Sequence, residues 1–315
     1  MRLVTYDVGT GPRAGIVVGE RVLDAATVLG ERRKLRDVRA LLELPDDPLT
    51  RLKSALGSAE GAPLESVRLR APILQPPTVR DFMAYEGHAS AGGTRKLPEA
   101  WYRLPIFYFS NPLCIFGPDD AVPYPSASEQ FDYELELAAV IGREGRNIAE
   151  ADAFSYIAGF TIFNDWSCRD LQRDEMEARL GPAKGKDAAS SLGPWVVTTD
   201  ELLPFLRDGR LDLSCWLKVN GVKWMENNAR LMYHTWGAMI ERASRDSRIV
   251  PADVIGSGTV TGGSIGEAIR NGYPARYLEP GDVVEIEVEG IGILRNTIAP
   301  KIDPDPHYRF KAPRQ

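Results

Sequence analysis

The chain has 315 residues, 43% apolar and 26% charged, and a net charge of −6 with a pI near 5.3. That acidity argues against nucleic acid or an anionic membrane as a bulk partner, while an anionic small molecule gripped by a few Arg or Lys side chains stays open. Three scattered cysteines without a CxxC pair, a start (MRLVTYDVGTGPRAG) without an apolar leader, and no long apolar run lead us to expect a soluble, cytoplasmic protein.

In chain order, Leu3–Tyr6, Ala14–Val18 and Arg21–Leu23 read as short strands parted by turn residues. Leu35–Leu44 and Leu49–Leu56 carry apolar residues at helical spacing, with Pro45 and Pro48 between them. Pro72, Pro76 and Pro77 then punctuate the chain. A boundary there divides a small N-terminal domain, 1–71, from a larger one, 72–315. Val79–Gly93 ends in small residues and glycines, as a lid or a helix terminus does. Residues 101–112, WYRLPIFYFSNP, are an aromatic cluster read as wall or core. Ala158–Phe163 is an apolar strand running into NDWSCRDLQRDEM, a helix start. Asn220-Gly221 marks a hairpin between Leu211–Val219 and Val222–Met225. His234–Arg242 reads as a helix, 254–263 as a glycine-rich strand and turn, and Val283–Val288 with Leu294–Ile298 as a second hairpin. A proline-rich, basic tail begins near Pro300. The fold class expected is α+β and strand-dominated.

The stretch FDYELELAAVIG, residues 131–142, carries the chemistry. Glu134 and Glu136 stand two apart, which on a strand puts both carboxylates on one face, roughly 7 Å apart. Two like charges beside an apolar run need water, a cation or protonation; an exposed edge-strand face is the plain alternative. Asp165 is a third carboxylate, at the end of the next strand. Such oxygens suit Mg²⁺, Ca²⁺ or Mn²⁺, and no Cys or His stands at zinc spacing. The glycines at 256, 258, 262 and 263 match neither phosphate-loop nor dinucleotide fingerprint and read as turns. Among three histidines, His234 reads as packing or capping and His307 as surface. His88, seven residues after Asp81 and close to Glu86, is the candidate general base. Arg169 and Gln172 share a helix face near Asp165, where a guanidinium could clamp a carboxylate or keto acid. Cys168 reads as a small packing residue.

Taken in order and spacing, these pieces resemble the fumarylacetoacetate hydrolase family over about residues 72–302. The resemblance rests on Asp81-Phe82 and His88, Tyr133–Leu137, Gly159-Phe160-Thr161, and Asn164–Ser167 with Arg169, Asp170 and Gln172. It continues through Lys186, Pro194-Trp195, Val219-Asn220-Gly221, Gly258-Thr259 and Pro280-Gly281-Asp282. It implies a mixed β-roll or sandwich with a small N-terminal α+β domain, and a homodimer. It implies a divalent cation, Mg²⁺ or else Ca²⁺ or Mn²⁺, on Glu134, Glu136 and Asp165, with Asp81 as fourth ligand. His88 takes the place of the water-activating base, Glu267 that of the glutamate orienting it, and Lys186 that of the enolate-stabilising group. Arg169, Gln172 and Thr259 match residues holding substrate oxygens. Tyr85 stands two positions from the family's substrate tyrosine, whose own place Met83 occupies, and Asn111 replaces the lysine of a Phe-x-Lys-Pro motif. The activity implied is C–C hydrolysis of an acylpyruvate-like 1,3-diketo acid. A 2-oxo-acid decarboxylase or a 2-hydroxydienoate isomerase or hydratase is the alternative on the same site, and a catalytically silent metal- or ligand-binding protein is the reading from another class.

Overall fold

The structure, a computed structural model, describes residues 1–57, 60–301 and 303. His307 and nearly all of the basic tail lie outside these residues. Two β-layers dominate. The larger is a mixed sheet of twelve strands, whose main path runs Ala62–Pro63, Arg21–Asp24, Arg13–Val18, Arg2–Asp7, Ser190–Thr198, Ile157–Asp165, Leu135–Ile141, Val254–Gly256, Val79–Phe82 and Phe107–Ser110. The smaller has five strands in the order Val222–Asn228, Ser214–Val219, Val283–Val288, Gly292–Lys301 and Ala121–Tyr124. Both expected hairpins are present in it, and Asn220 and Gly221 have the positive φ values, 51° and 77°, of a tight hairpin turn. One buried cluster joins Leu135, Leu137, Phe160 and Ile162 of the large sheet to Leu217, Val219, Ile286 and Leu294 of the small one. The α+β, strand-dominated class is as expected.

The strands of residues 1–71 extend the large sheet. Arg2–Asp7 pairs antiparallel with Ser190–Thr198, with Arg2 opposite Val197. A second core cluster contains Leu3, Ile16, Leu41 and Leu52 together with Ala138, Val140, Phe163 and Val196. The sheet and its core therefore cross the boundary expected near residue 72. The first helix here is shorter than its apolar spacing and the second is shifted by one residue: Val38–Leu42 starts where the Asp37 carboxylate accepts the Ala40 N–H, and Pro48–Ala55 where Asp47 accepts that of Thr50. Similarly, the helix expected from His234 starts at Trp236, because the Thr235 hydroxyl caps the N–H of Ala238. His234 packs between Trp101 and Tyr233, its Nε2 bonded to the Trp101 carbonyl at 2.7 Å.

The 131–142 stretch is interrupted rather than continuous. Phe131–Asp132 pairs with Ser167–Cys168, Glu134 makes a single bridge to Ser264, and the strand proper is Leu135–Ile141. That strand is central, flanked by Ile157–Asp165 and Val254–Gly256. The exposed-edge alternative is excluded: Leu135–Ile141 is buried throughout, and Glu134 and Glu136 are buried with it.

Candidate active site

Four strand ends converge. Asp81 pairs in parallel register with Gly256, Glu136 lies opposite Phe163, and Asp165 closes the strand Ile157–Asp165. Asp81, Glu134, Glu136 and Asp165 each bring a carboxylate oxygen within 4.8 Å of the others. All four residues are at most 3% exposed. Among the described residues this is the only such convergence of metal-ligating groups. A Cβ on Gly256 would stand 2.5 Å from Asp81 Oδ1, so glycine is needed for that approach. Gly258, at φ +78°, lies so close to Phe82 that a Cβ would meet its carbonyl oxygen at 2.3 Å. Its N–H donates to Glu136 Oε2 at 2.9 Å and Asp81 Oδ1 at 3.2 Å, and Thr259 Oγ1 donates to Glu136 Oε1 at 3.4 Å.

Two cations face this cluster. Lys186 Nζ donates to Glu134 Oε2 at 2.5 Å and Asp165 Oδ2 at 2.6 Å. Arg169 spends each of its nitrogens, on Asp132 Oδ2 at 2.6 Å, Glu134 Oε1 at 2.7 Å and Gln172 Oε1 at 2.9 Å. Asp132 Oδ1 is in turn fixed by the N–H of Ile265 at 2.9 Å. Burial works to raise Glu134, but Lys186, Arg169 and His88 outweigh it and hold that carboxyl below the usual range. Asp81 and Glu136 go the other way. Burial first, and then the charges of neighbouring carboxylates, push both well above ordinary values. Asp165 is also raised by burial, against the pull of Lys186, and its Oδ1 is buried without any hydrogen-bond partner. Two carboxylates driven toward protonation and an orphaned buried oxygen, all hard donors, fit a divalent hard cation.

His88 sits in the short helix Glu86–Ala89. Its Nδ1 lies 2.7 Å from Glu267 Oε2. Glu267 also accepts the Gly262 N–H at 3.0 Å and the Ser264 hydroxyl at 2.8 Å. Burial works to raise its carboxyl, but His88 and these donors outweigh it and hold the group below its usual value. An anionic Glu267 accepts a hydrogen bond from Nδ1–H, and that tautomer leaves the Nε2 lone pair free. Nε2 stands 3.8 Å from Glu134 Oε1.

A cavity of about 350 Å³ opens onto these groups, lined by His88, Asp81, Glu134, Glu136, Arg169, Gln172, Lys186 and Thr259 among others. A larger cleft of about 520 Å³, between Leu42–Leu49 and Tyr156, shares no lining residue with it, and no carboxylate cluster converges there. Tyr85 is a correction: it is buried, its hydroxyl donates to the Ala229 carbonyl at 2.9 Å, and it does not line the cavity. The displaced register turns it into the core. Two neighbours of the site were not singled out by sequence. Tyr108 lines the cavity and donates to Asp165 Oδ2 at 2.5 Å; no local pattern marks it, since its neighbour Phe107 lines the cavity too. Asp132 extends the i, i+2 series of Glu134 and Glu136 by one step.

Comparison with known proteins agrees with this geometry. Residues 78–299 match the family profile described as fumarylacetoacetate (FAA) hydrolase C-terminal. A Dictyostelium discoideum protein, fumarylacetoacetate hydrolase domain-containing protein 2 homolog, is 28% identical over 309 residues, 95% of this chain and 97% of that one. The structure of 5-carboxymethyl-2-hydroxymuconate delta-isomerase from Mycobacterium smegmatis superposes with a TM-score of 0.68 at 28% identity, covering 96% of this chain and all of that one, 100%. Maleylpyruvate hydrolase from Sphingobium sp. SYK-6, solved with manganese(II) and pyruvate, shares the fold, with a TM-score of 0.72 at 23% identity over 96% of this chain and 100% of that chain. No helix among the described residues is long and apolar enough to cross a membrane. With its four carboxylates inside the matched segment, the chain belongs to the fumarylacetoacetate hydrolase family, whose solved members include both hydrolases and isomerases.

Proposed function

We propose that this protein is a divalent-metal-dependent hydrolase of acylpyruvate-type 1,3-diketo acids. One observation carries the reading: the Glu267-oriented His88 opens onto the same cavity as the carboxylate cluster. Asp81, Glu134, Glu136 and Asp165 would hold the cation, with Mg²⁺ proposed from the all-oxygen donor set. When bound, that cation supplies Lewis acidity to the substrate's carbonyl oxygens. The chain's own groups do the rest. His88 Nε2 takes a proton from water, and the hydroxide adds to the acyl carbon. The bond from that carbon to the methylene breaks, and its electron pair passes to the pyruvyl side as an enolate. Lys186, lining the cavity, offers fixed positive charge to that enolate. Protonation of the methylene completes pyruvate, so acylpyruvate plus water becomes a carboxylic acid plus pyruvate. Arg169, Gln172 and Thr259 orient the substrate's oxygens.

The test incubates Mg²⁺-loaded protein with acetylpyruvate in H₂¹⁸O. Pyruvate and acetate in equal amounts, with one ¹⁸O in the acetate, are expected. Intact acetylpyruvate alongside carbon dioxide release from oxaloacetate would overturn the reading. A second reading, isomerisation through the same enolate without water attack, is favoured by the 28% likeness to a delta-isomerase. It predicts that a 2-hydroxydienoate changes its absorbance with no ¹⁸O uptake.

A further inference from the structure

The cavity is chemically two-sided. Every cation lining it lies at one end: Lys186 is bonded to Glu134 and Asp165, and Arg169 to Asp132, Glu134 and Gln172. His88 belongs to that end too, beside Glu267 and Glu134. Elsewhere the lining is apolar, with Met83, Ile106, Phe107, Met176, Leu180 and Pro182 as the main side chains. Arg179, next in the chain to Leu180, does not line it. Met176 and Leu180 are 50% and 94% exposed, so this wall reaches the mouth of the cavity. A carboxylate on this wall would meet no counter-ion among the residues that line it. An alkyl or aryl group would be stabilised by leaving water.

We propose that the substrate is a monocarboxylic acylpyruvate whose acyl tail is uncharged and apolar, an alkyl chain or an aryl ring, lying on Met83, Ile106, Phe107, Met176, Leu180 and Pro182. This deepens the hydrolase reading for its substrate, yet it concerns binding and can be tested without turnover. Metal-loaded protein is titrated calorimetrically with two chelating oxamates, N-butyl-oxamate and N-(2-carboxyethyl)oxamate. The butyl compound is expected to bind roughly tenfold more tightly, since its alkyl group leaves water on the apolar wall while its rival keeps a solvated charge there. Each methylene from N-methyl to N-butyl should gain about fourfold. Equal or reversed affinities would overturn the proposal. Met176→Lys is expected to narrow or invert the preference, and an unchanged ratio would overturn the placement of the tail. Kinetics on acetyl-, valeryl- and carboxylate-tipped acylpyruvates then separate the two claims. Absent hydrolysis with the oxamate preference intact strikes the reaction, whereas hydrolysis that favours the carboxylate-tipped substrate strikes the tail.

Discussion

His88 Nδ1 and Glu267 Oε2 are 2.7 Å apart in space and 179 residues apart in the chain. The helix Ile265–Arg270 brings the carboxylate, and His88 first, then the Gly262 N–H and Ser264 hydroxyl, hold it anionic against burial. His88→Ala should therefore lower kcat by roughly 10²–10⁴-fold while calorimetry shows metal binding unchanged. Glu267→Gln keeps the shape and removes the charge, so its loss should be smaller, about 10–100-fold. Wild-type turnover in His88→Ala would rule out the general-base role.

Metal and pH should be linked through Asp81 and Glu136. Both are raised, chiefly by burial, above ordinary values of 3.8 and 4.5. In the metal-free fold they bind protons that the unfolded chain releases, so stability contributed by these groups falls as pH rises above those ordinary values. Glu134, held low by Lys186, Arg169 and His88 against burial, has the opposite sign, and its contribution is lost only as pH falls below 4.5. Thermal melts of chelator-treated protein should drop between acidic and neutral pH. Excess Mg²⁺ or Mn²⁺ should restore the midpoint, most strongly at neutral pH, where protons compete least. A metal-independent melting curve would contradict the cluster's assignment.

Gly258→Ala tests the backbone that fixes two of the carboxylates. A methyl group there would meet the Phe82 carbonyl oxygen at 2.3 Å in a left-handed conformation. Conformation alone costs about 1–2 kcal/mol, and relief of the clash would pull the N–H away from Glu136 and Asp81. The expected result is a lowered melting temperature together with weakened metal affinity. A stable variant with intact affinity would show that the loop is not held as described.

Tyr108→Phe removes the phenol that donates to Asp165 Oδ2. Hydrogen bonds to charged groups are worth about 1.5–3 kcal/mol, so metal affinity measured by titration should change by roughly tenfold or more. The fold should persist, because the ring stays in place. An unaltered affinity would make Tyr108 part of the cavity wall alone.

Much of this was legible in the residues. The i, i+2 spacing of Glu134 and Glu136 places them on one face whatever surrounds the strand, because the pleat has a period of two. The Asn220-Gly221 hairpin follows from local φ preferences, and the aspartates at 37 and 47 start helices by local capping. His88 stands out beside Asp81 and Glu86, whereas Asp81 as a ligand and Glu267 as its orienting partner follow only from the resemblance, since nothing in the spacing brings Glu267 to His88. Tyr108 and Asp132 went unseen because their roles are through-space contacts, to Asp165 and Arg169. Tyr85 shows the reverse: a residue type suited to the site, turned into the core.

The strand-rich class, the hairpins and the pairing of two carboxylates on one face depend on residues a few positions apart and are therefore set locally. That those carboxylates are buried, joined by Asp81 and Asp165, and opposed by Lys186 and Arg169 follows from long-range packing. An alternating strand reads the same at a wet edge or in the middle of a sheet. The difference lies in which strands flank it, and that is settled by long-range packing of apolar faces.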